Sequence, residues 1–383
     1  ARIDTCKDFI LLRQLALFFW AFILSFQAFA SSEANAIFYP LPNQVKGTFI
    51  AAKKLFPGEH GGLWIHDVHG RVLFYDGQTT LPKSGSFLRA KVEQLAYHKG
   101  SFWTFIENEV YQTYPNQERR LVFSLNPGSQ IRKIGSSGNF IWVSDGAHFY
   151  TYNIETSELN SFSLLQLYQH SNNSYVYIND AIFVETKWAL ATTSGVYLSE
   201  GSKFNHVVSS GKHYIEKVYY SHTRREILVG TLKGALIFNI SEPDKPVIRI
   251  GTSHVLTFAE TNQEYWVGTE QGLYLYSFLS GDVTQVTPAS FLELELATTK
   301  IYSLLNDNMG GMWIATNQGI RYYSLFSKKF ERTTFSSYDQ LTLSGRIRQT
   351  LTGPDGALWF ADDHKLYRSG PKAISEVRFL FSD

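Results

Sequence analysis

Cysteine is almost missing from the chain of 383 residues, which contains a single one, Cys6. Cys6 lies in a segment that we expect to be removed, so the remaining chain would carry no thiol. This excludes a disulfide scaffold, a thiolate zinc site and a cysteine nucleophile there. The lack of an unpaired thiol is compatible with an oxidising compartment.

An excess of charge of either sign is also lacking. The first 30 residues hold three basic and two acidic side chains, which leaves 32 Lys and Arg against 32 Asp and Glu in residues 31–383. A body of zero formal charge has no general attraction for nucleic acid or anionic lipid. We therefore expect no nucleic-acid partner.

A long hydrophobic run is absent after residue 30. Before it, basic residues lead into an apolar stretch over residues 15–26, and residues 28–30 (AFA) have the small-x-small spacing of a cleavage site. The stretch is shorter than the roughly 20 residues of a spanning helix. This pattern predicts a secretory signal peptide over residues 1–30, cleaved before Ser31, with an uncleaved anchor as the alternative. We expect residues 31–383 to be soluble outside the cytoplasm.

The chain does have a phrase that recurs about every forty residues. Its clearest copies are residues 264–276 (EYWVGTEQGLYLY) and 311–323 (GMWIATNQGIRYY): a strand with Trp, a polar turn with Gly and a second strand rich in Tyr. The anchor residues are Trp64, Trp103, Trp142, Trp188, Trp266, Trp313 and Trp359, and Leu228 takes the place of an eighth Trp. Such a unit cannot bury its apolar face alone and must stack on copies of itself.

An apolar strand precedes each phrase and a more variable strand follows it. Four antiparallel strands in about 40 residues is the size of one propeller blade. We therefore predict an all-β fold, a single β-propeller of eight four-stranded blades over residues 31–383. The alternative is a ring of seven blades followed by the first blade of a second propeller. Residues 36–42 or 377–381 would supply the outer strand that closes the ring.

The Trp side chains have a structural interpretation, filling the wedge between neighbouring blades with a large apolar area. A cage of Trp and Tyr that stacks on a sugar is the alternative, and it requires rings that point into the channel.

The repeat resembles that of the two-component regulator propellers, whose phrase is D-x-x-G-x-L-W-I-G-T-x-x-G-L-x-x-Y. Residues 307–323 (DNMGGMWIATNQGIRYY) carry it most completely, and the resemblance extends over about residues 45–370. It implies a periplasmic sensor region of a bacterial receptor, joined through a membrane helix to a cytoplasmic output module such as a histidine kinase or a diguanylate cyclase. Many members have two seven-bladed propellers and a β-sandwich, whereas this chain shows eight copies and no output motif.

A propeller offers ligands the mouth of its channel, where we expect the turns after the Trp strands and the loops between blades. The candidate ligand-binding residues in those turns are Asp67, His69, Glu107, Asn108, Asp145, Glu270, Asn317, Asp362 and Asp363. The set is rich in acceptors and poor in cations, so it would suit hydroxyls, amines or a cation better than an acidic ligand. The alternative is that all of them are ordinary polar turn residues.

Catalytic and metal-binding patterns are scarce. His60, His66 and His69 cluster in the first repeat, but packing and exposure explain them better than a metal site. Asp362 and Asp363 fit turn chemistry better than calcium binding or acid–base work. Nucleophile, phosphate-loop and dinucleotide motifs are missing, so we expect no catalytic residue, metal or cofactor.

The sequence therefore favours a non-catalytic, extracytoplasmic ligand-sensing propeller. A small molecule or an oligosaccharide would be its ligand, and a homodimer is compatible with such a receptor. The first alternative is an exported propeller enzyme, such as a polysaccharide lyase or a glycosidase, which would need a paired acid and base or a Tyr–His pair at the channel mouth. The second is a protein-interaction scaffold.

Overall fold

The strand pattern of the sequence is present in the computed structural model. It describes residues 38–40, 50–58, 61–77, 80–82, 92–115, 117–170, 176–242, 245, 248–286, 299–307, 310–324, 349–353, 358–361, 365–369 and 374–377. These residues contain 32 β-strands, one short helix, α1 (Leu165–His170), and one 3-10 turn (Val208–Ser210). The strands form eight four-stranded antiparallel sheets, which confirms the all-β class and the number of four-stranded units.

The sheets follow one another along the chain. Sheet 1 contains β2 (Ala52–Pro57), β3 (Leu63–Asp67), β4 (Val72–Tyr75) and β5 (Thr80–Pro82). Sheet 2 contains β6 (Ala96–His98), β7 (Ser101–Ile106), β8 (Glu109–Thr113) and β9 (Arg120–Ser124). Sheet 3 contains β10 (Lys133–Ser137), β11 (Phe140–Ser144), β12 (His148–Asn153) and β13 (Leu159–Ser163). Sheet 4 contains β14 (Ile178–Val184), β15 (Lys187–Thr192), β16 (Gly195–Glu200) and β17 (Lys203–His206).

The second half of the chain continues the series. Sheet 5 contains β18 (Ile215–Ser221), β19 (Glu226–Thr231), β20 (Gly234–Asn239) and β21 (Ile248–Ile250). Sheet 6 contains β22 (Val255–Glu260), β23 (Glu264–Thr269), β24 (Gly272–Ser277) and β25 (Val283–Gln285). Sheet 7 contains β26 (Ile301–Asn306), β27 (Gly311–Thr316), β28 (Gly319–Ser324) and, as its fourth strand, β1 (Phe38–Pro40). Sheet 8 contains β29 (Gln349–Thr352), β30 (Leu358–Ala361), β31 (Leu366–Ser369) and β32 (Ile374–Val377).

The chain divides into two compact units, residues 1–328 and residues 329–383. In the first unit, the leading strands of sheets 2 to 7 contact one another in order, and the leading strand of sheet 7 contacts that of sheet 1. Sheets 1 and 2 meet through a hydrogen bond from the Lys54 ammonium to the Leu95 carbonyl (3.2 Å). The seven sheets of this unit therefore close a ring, with their leading strands around a central channel.

Ring closure uses a strand from the other end of the unit. In β1, Phe38, Tyr39 and Pro40 pair antiparallel with Tyr323, Tyr322 and Arg321 of β28. A proline is tolerated there because an edge strand does not need every N–H. The segment predicted to complete an outer edge does so, but on sheet 7.

The eight predicted units are present, and seven of them close the ring of the first unit. The reason is physical: β1 occupies the outer edge of sheet 7, and the leading strand of sheet 1 packs on sheet 7. The Trp359 copy forms sheet 8, which belongs to the second unit.

The turns after the Trp strands share one hydrogen-bond pattern in sheets 4 to 7. The Thr hydroxyl donates to the carbonyl of a glycine three residues later and accepts the N–H two residues later, at Thr192, Thr231, Thr269 and Thr316. Gly234 shows why glycine is required, because its φ is +98° and an added Cβ would lie 2.3 Å from the Gly251 carbonyl oxygen. The T-x-x-G phrase of the sequence is thus a turn clamp.

The anchor Trp side chains lie between neighbouring sheets. Trp64 of sheet 1 packs edge-on against Phe102 of sheet 2, with ring centroids 5.0 Å apart. Trp266 of sheet 6 lies 5.2 Å from Tyr323 of sheet 7. Trp103, Trp142 and Trp266 are almost completely buried, whereas Trp313 and Trp359 are half-buried. In the first unit these rings belong to the inter-sheet cores.

Trp188 is not equivalent to the other Trp anchors. In sheet 5, the residue after the bulge, Lys217, pairs with Gly230, two residues after the anchor Leu228. In sheet 4, the residue after the bulge, Asp180, pairs with Ala191. The residue two positions before Ala191 is Ala189, so Ala189 and not Trp188 takes the anchor position. A shift of one residue turns a strand side chain to the opposite face. Trp188 accordingly packs back on Phe140 and Phe149 of sheet 3. The spacing of the sequence alone could not reveal this offset.

Candidate functional site at the channel and its mouth

Five leading strands carry a β-bulge close to their first residue. The ladder skips one residue between Ala52 and Lys54, and again at the same place in sheets 4, 5, 6 and 7. A bulge bends the strand and redirects its side chains. The residues that follow it are Lys54, Asp180, Lys217, Thr257 and Ser303, and Lys133 of sheet 3 has the same register without a bulge.

These side chains join each sheet to the next one around the ring. The Leu55 N–H donates to Ser303 Oγ (3.2 Å), and the Leu304 N–H donates to Thr257 Oγ1 (3.3 Å). The Val218 N–H donates to Asp180 Oδ2 (3.3 Å). The register position after the bulge therefore faces the inner wall of the ring, beside the neighbouring leading strand.

Three lysines and one aspartate share this wall. Lys217 forms an ion pair with Asp180, with 2.8 Å between Nζ and Oδ2. Burial, followed by repulsion from Lys217 and Lys133, lowers the pKa of Lys54 to about 7. Burial also lowers the pKa of Lys133, although Glu216 and Asp180 oppose that shift. These lysines come from sheets 1, 3 and 5, and the charge of Lys217 acts on both Lys54 and Lys133.

A second group of polar side chains lies where the leading strands of sheets 5, 6 and 7 begin. The Tyr214 hydroxyl donates to Glu216 Oε2 (2.8 Å), and burial, followed by this bond, raises the pKa of Tyr214 to about 12. His254 lies between two carboxylates, with Nε2 3.9 Å from Glu216 and Nδ1 3.7 Å from Glu270. The Lys300 ammonium donates to Glu270 Oε1 (2.9 Å), and this bond is the main reason that the pKa of Glu270 is lowered.

A cavity of about 340 Å³ adjoins this group. Tyr214 lines it together with His213, Lys233 and Arg249, while Leu232 and Leu236 supply apolar surface. The cavity uses the turn after the second strand of sheet 5 and the segment that leads into β18. It has the mixture of apolar wall and few polar groups that is typical of small-molecule sites.

Two of the predicted mouth residues meet at this group. Glu270 binds Lys300 through its side chain, and the Asn317 N–H donates to the Lys300 carbonyl (3.3 Å). Asn317 is exposed. The turns of sheets 6 and 7 and the segment leading into β26 therefore lie at one end of the ring.

Other predicted residues are engaged in their own turns. Asp67 is buried, and its Oδ1 accepts the N–H groups of His69 (2.9 Å) and Arg71 (2.8 Å), in place of the Thr of other sheets. Asp145 accepts the N–H groups of Ala147 (2.9 Å) and His148 (2.7 Å). Burial by itself would raise the pKa of Asp145, but the hydrogen bonds from these N–H groups oppose it, and the pKa is lowered. Both carboxylates fit the turn interpretation.

The remaining predicted residues are spread apart. Glu107 is exposed with a φ of +53°, and the Asn108 amide donates to the Leu125 carbonyl (2.8 Å). His69 is exposed on its turn. Asp362 and Asp363 lie outside the described residues, as does His60.

The opposite end of the ring has a different acidic group. Glu260, the last residue of β22, accepts hydrogen bonds from Ser221 Oγ (2.8 Å) and Tyr219 Oη (3.3 Å). It lines a cavity of about 460 Å³ with Arg224 and Phe278. These residues fall outside the repeated phrase, and for that reason they are not among the candidates of the sequence analysis.

In the part of the chain that the structure describes, no three His, Cys, Asp or Glu side chains are arranged so that they could hold a metal ion. His66 is buried, and its Nε2 lies 2.7 Å from the Val92 carbonyl. Within the same described ranges, no helix is long and apolar enough to span a membrane.

Comparisons with solved structures agree on the fold. The chain is similar to the extracellular domain of a hybrid two-component system from B. thetaiotaomicron (TM-score 0.58, 16% identity), over 91% of this chain and 48% of that one. It is similar to a second such domain from the same organism (TM-score 0.56, 14% identity), over 88% of this chain and 53% of that one. It is also similar to the WD40 β-propeller domain of Doa1 (TM-score 0.57, 11% identity), over 76% of this chain and 99% of that one. No family model and no curated protein matches the sequence.

The fold is therefore that of a β-propeller. The chain spans about half the length of the two-component system domains that it matches. At these identities the similarity concerns the fold.

Proposed function

We propose that this chain is part of the extracytoplasmic, ligand-sensing propeller of a bacterial signal-transduction receptor. The main support is the group formed by Tyr214, Glu216, His254, Glu270 and Lys300, beside a cavity of about 340 Å³ at one end of a closed ring. The repeat resemblance and the sensor domains among the structural neighbours support the class.

Sensing would work through differential binding. A ligand changes a receptor's state only if it binds one state more tightly than the other. The polar group draws on segments of sheets 5, 6 and 7, so a ligand held there would bridge separate sheets and favour one packing of them. A membrane helix and an output module would transmit that preference, and a homodimer would be a suitable form of the receptor.

A ligand screen with matched variants tests this proposal. Residues 31–383 would be screened by thermal shift against amino acids, neutral sugars and acidic sugars. We expect a ligand whose shift disappears in His254→Gln and Glu270→Gln but persists in Glu242→Gln, a change at an exposed ion pair with Lys245. A ligand shift that all variants retain, or no shift from any compound, would count against the site.

Experiments in cells test whether the chain is exported and whether it takes part in signalling. A fusion of residues 1–383 to alkaline phosphatase should be active outside the cytoplasm, and the same fusion without residues 1–30 should be inactive. Deletion of the gene should abolish one transcriptional or cyclic-nucleotide response. An inactive full-length fusion, or unchanged outputs in the deletion strain, would contradict the proposal.

An enzyme is the second candidate, because titratable groups do meet at the mouth. Tyr214 and His254 lie edge-to-face with ring centroids 6.5 Å apart, and carboxylates flank both. This is the Tyr–His pair that a propeller lyase would need. Turnover of acidic or neutral polysaccharides that is lost in both Tyr214→Phe and His254→Gln would establish it. Intact substrates after long incubation would exclude those substrate classes.

A further inference from the structure

The inner wall of the ring carries more positive than negative charge. The groups that influence Lys54 and Lys133 there are the ammonium groups of Lys53 and Lys217 and the carboxylates of Asp180 and Glu216. Four potential ammonium groups thus face two carboxylates, although the chain after residue 30 is neutral as a whole. Charge of one sign in a partly buried place is costly unless a counter-charge joins it.

We propose that Lys54, Lys133 and Lys217 form a binding site for an oxyanion with two or more negative charges, inside the channel. The chemical class comprises phosphate, sulfate and polycarboxylate groups. This inference goes beyond the sensor role, because it concerns ion binding by the isolated chain and holds whether or not the chain signals.

The hydrogen-bonding capacity of the wall supports this class. Each ammonium has three N–H donors. Lys54 donates one to the Leu95 carbonyl and Lys217 uses one on Asp180, so both have donors left for a ligand. Lysine acts as a compact charge with rotatable donors, which suits a tetrahedral or branched oxyanion better than a planar bidentate partner.

The placement of the three lysines supports one shared site. In sheets 1, 3 and 5, each lysine pairs with the residue that lies two positions after the anchor residue of the neighbouring strand. Alternate sheets of a ring surround an ion from several sides, whereas lysines of one strand would not. Asp180 of sheet 4 holds Lys217 in place and leaves the positive excess at Lys54 and Lys133.

Protonation follows from the same geometry. Burial and the neighbouring ammonium groups lower the pKa of Lys54 to about 7, so near pH 7 this group is only partly protonated. A bound anion favours the charged form and raises that pKa. Binding should therefore take up protons near pH 8 and should strengthen as the pH falls toward 6.

Calorimetric titration with pyrophosphate and citrate tests the site, at constant ionic strength set with chloride. We expect binding to the purified chain that weakens at least about tenfold in Lys54→Met, the loss of one charged hydrogen bond. Lys187→Met, at an exposed lysine at the start of β15, is the matched control and should bind as the unchanged protein does. Equal affinity in Lys54→Met and in the unchanged protein, or no binding of either anion, would overturn the proposal.

Two further measurements test which molecule carries the oxyanion and whether Lys54 is protonated when the anion binds. A comparison of the affinities for trigalacturonate and for maltotriose shows whether the charge of an oligosaccharide is needed for binding. If trigalacturonate binds more tightly than pyrophosphate and citrate, the oxyanion belongs to a larger ligand, and if it binds more weakly, the oxyanion is a small free anion. Titration in buffers of different ionisation enthalpy should show proton uptake at pH 8 in the unchanged protein and less in Lys54→Met. Anion binding that does not depend on Lys54, or equal proton uptake in the two proteins, would contradict the site. A ligand screen that fails at His254 leaves these results unaffected.

Discussion

Replacing Lys54 by methionine should stabilise the protein near neutral pH. In the folded chain the pKa of Lys54 is about 7, against 10.5 for a free lysine. That difference corresponds to about 4–5 kcal/mol in favour of the neutral form at 1.36 kcal/mol per pKa unit. The lost hydrogen bond to the Leu95 carbonyl offsets about 1 kcal/mol, and residual solvent contact reduces the rest. We expect a net gain of about 2 kcal/mol in the free energy of unfolding at pH 7.

The pH dependence has a definite sign. Because the folded pKa lies below the unfolded value, unfolding takes up a proton between pH 7 and pH 10.5. The unchanged protein therefore gains stability relative to Lys54→Met as the pH rises through that window, and the advantage of methionine should vanish near pH 10.

Urea denaturation at pH 7 and pH 10, in chloride buffers without polyvalent anions, measures both quantities. Lys187→Met is the matched control, since Lys187 is an exposed lysine at the start of β15, and we expect a change within about 0.5 kcal/mol. A Lys54→Met protein that is less stable at pH 7, by the same amount at both pH values, would refute the buried-charge account of this wall.

Three further predictions concern the ring itself. Thr269→Val removes the hydroxyl that binds the Gly272 carbonyl and the Gln271 N–H, and it should cost about 1–3 kcal/mol in urea denaturation, with Thr269→Ser close to the unchanged protein. Gly234→Ala should lower the unfolding free energy by more than about 1 kcal/mol, because its Cβ would meet the Gly251 carbonyl, whereas Gly281→Ala has open space and should cost less. A chain that starts at residue 50 loses β1 and should show a lower Tm and more association through the bare edge of β28 than one that starts at residue 31, and equal behaviour of the two chains would contradict the role of β1.

The fold could be predicted from the sequence because its repeat has a physical cause at each position. The Thr and Gly of the phrase bind one another in a turn, and the Trp fills the space between two sheets. The closing strand was harder to place, since Phe38–Pro40 pairs with residues more than 280 positions away, and local patterns do not encode such pairing. Trp188 misled for a related reason, because a one-residue offset changes the face of a strand without changing its composition.

The candidate site was only partly accessible from the sequence. Glu270 could be found because the turn after the Trp strand is recognisable, and it does meet Lys300 and His254. The wall lysines could not be found from the turns, because Lys54 and Lys217 follow bulges in the leading strands. Only the register of the ladders brings the lysines of sheets 1, 3 and 5 to one equivalent position. The expected preference for hydroxyls, amines or cations concerns the mouth turns and stays a prediction, whereas the anion site is a proposal for the wall.

A single crosslink tests the central claim that seven sheets close the ring and that β1 supplies the last outer strand. Pro40 has no N–H, which suits a pair without mutual hydrogen bonds to Arg321, and the Cα atoms of such pairs lie about 4.5 Å apart, within the span of a disulfide. In a chain from residue 31 that carries Pro40→Cys and Arg321→Cys, oxidation followed by peptide mass mapping should join positions 40 and 321. A chain with Pro40→Cys and Arg249→Cys, aimed at the outer strand of sheet 5, should stay unlinked. A disulfide in the second chain and none in the first would contradict the seven-sheet ring.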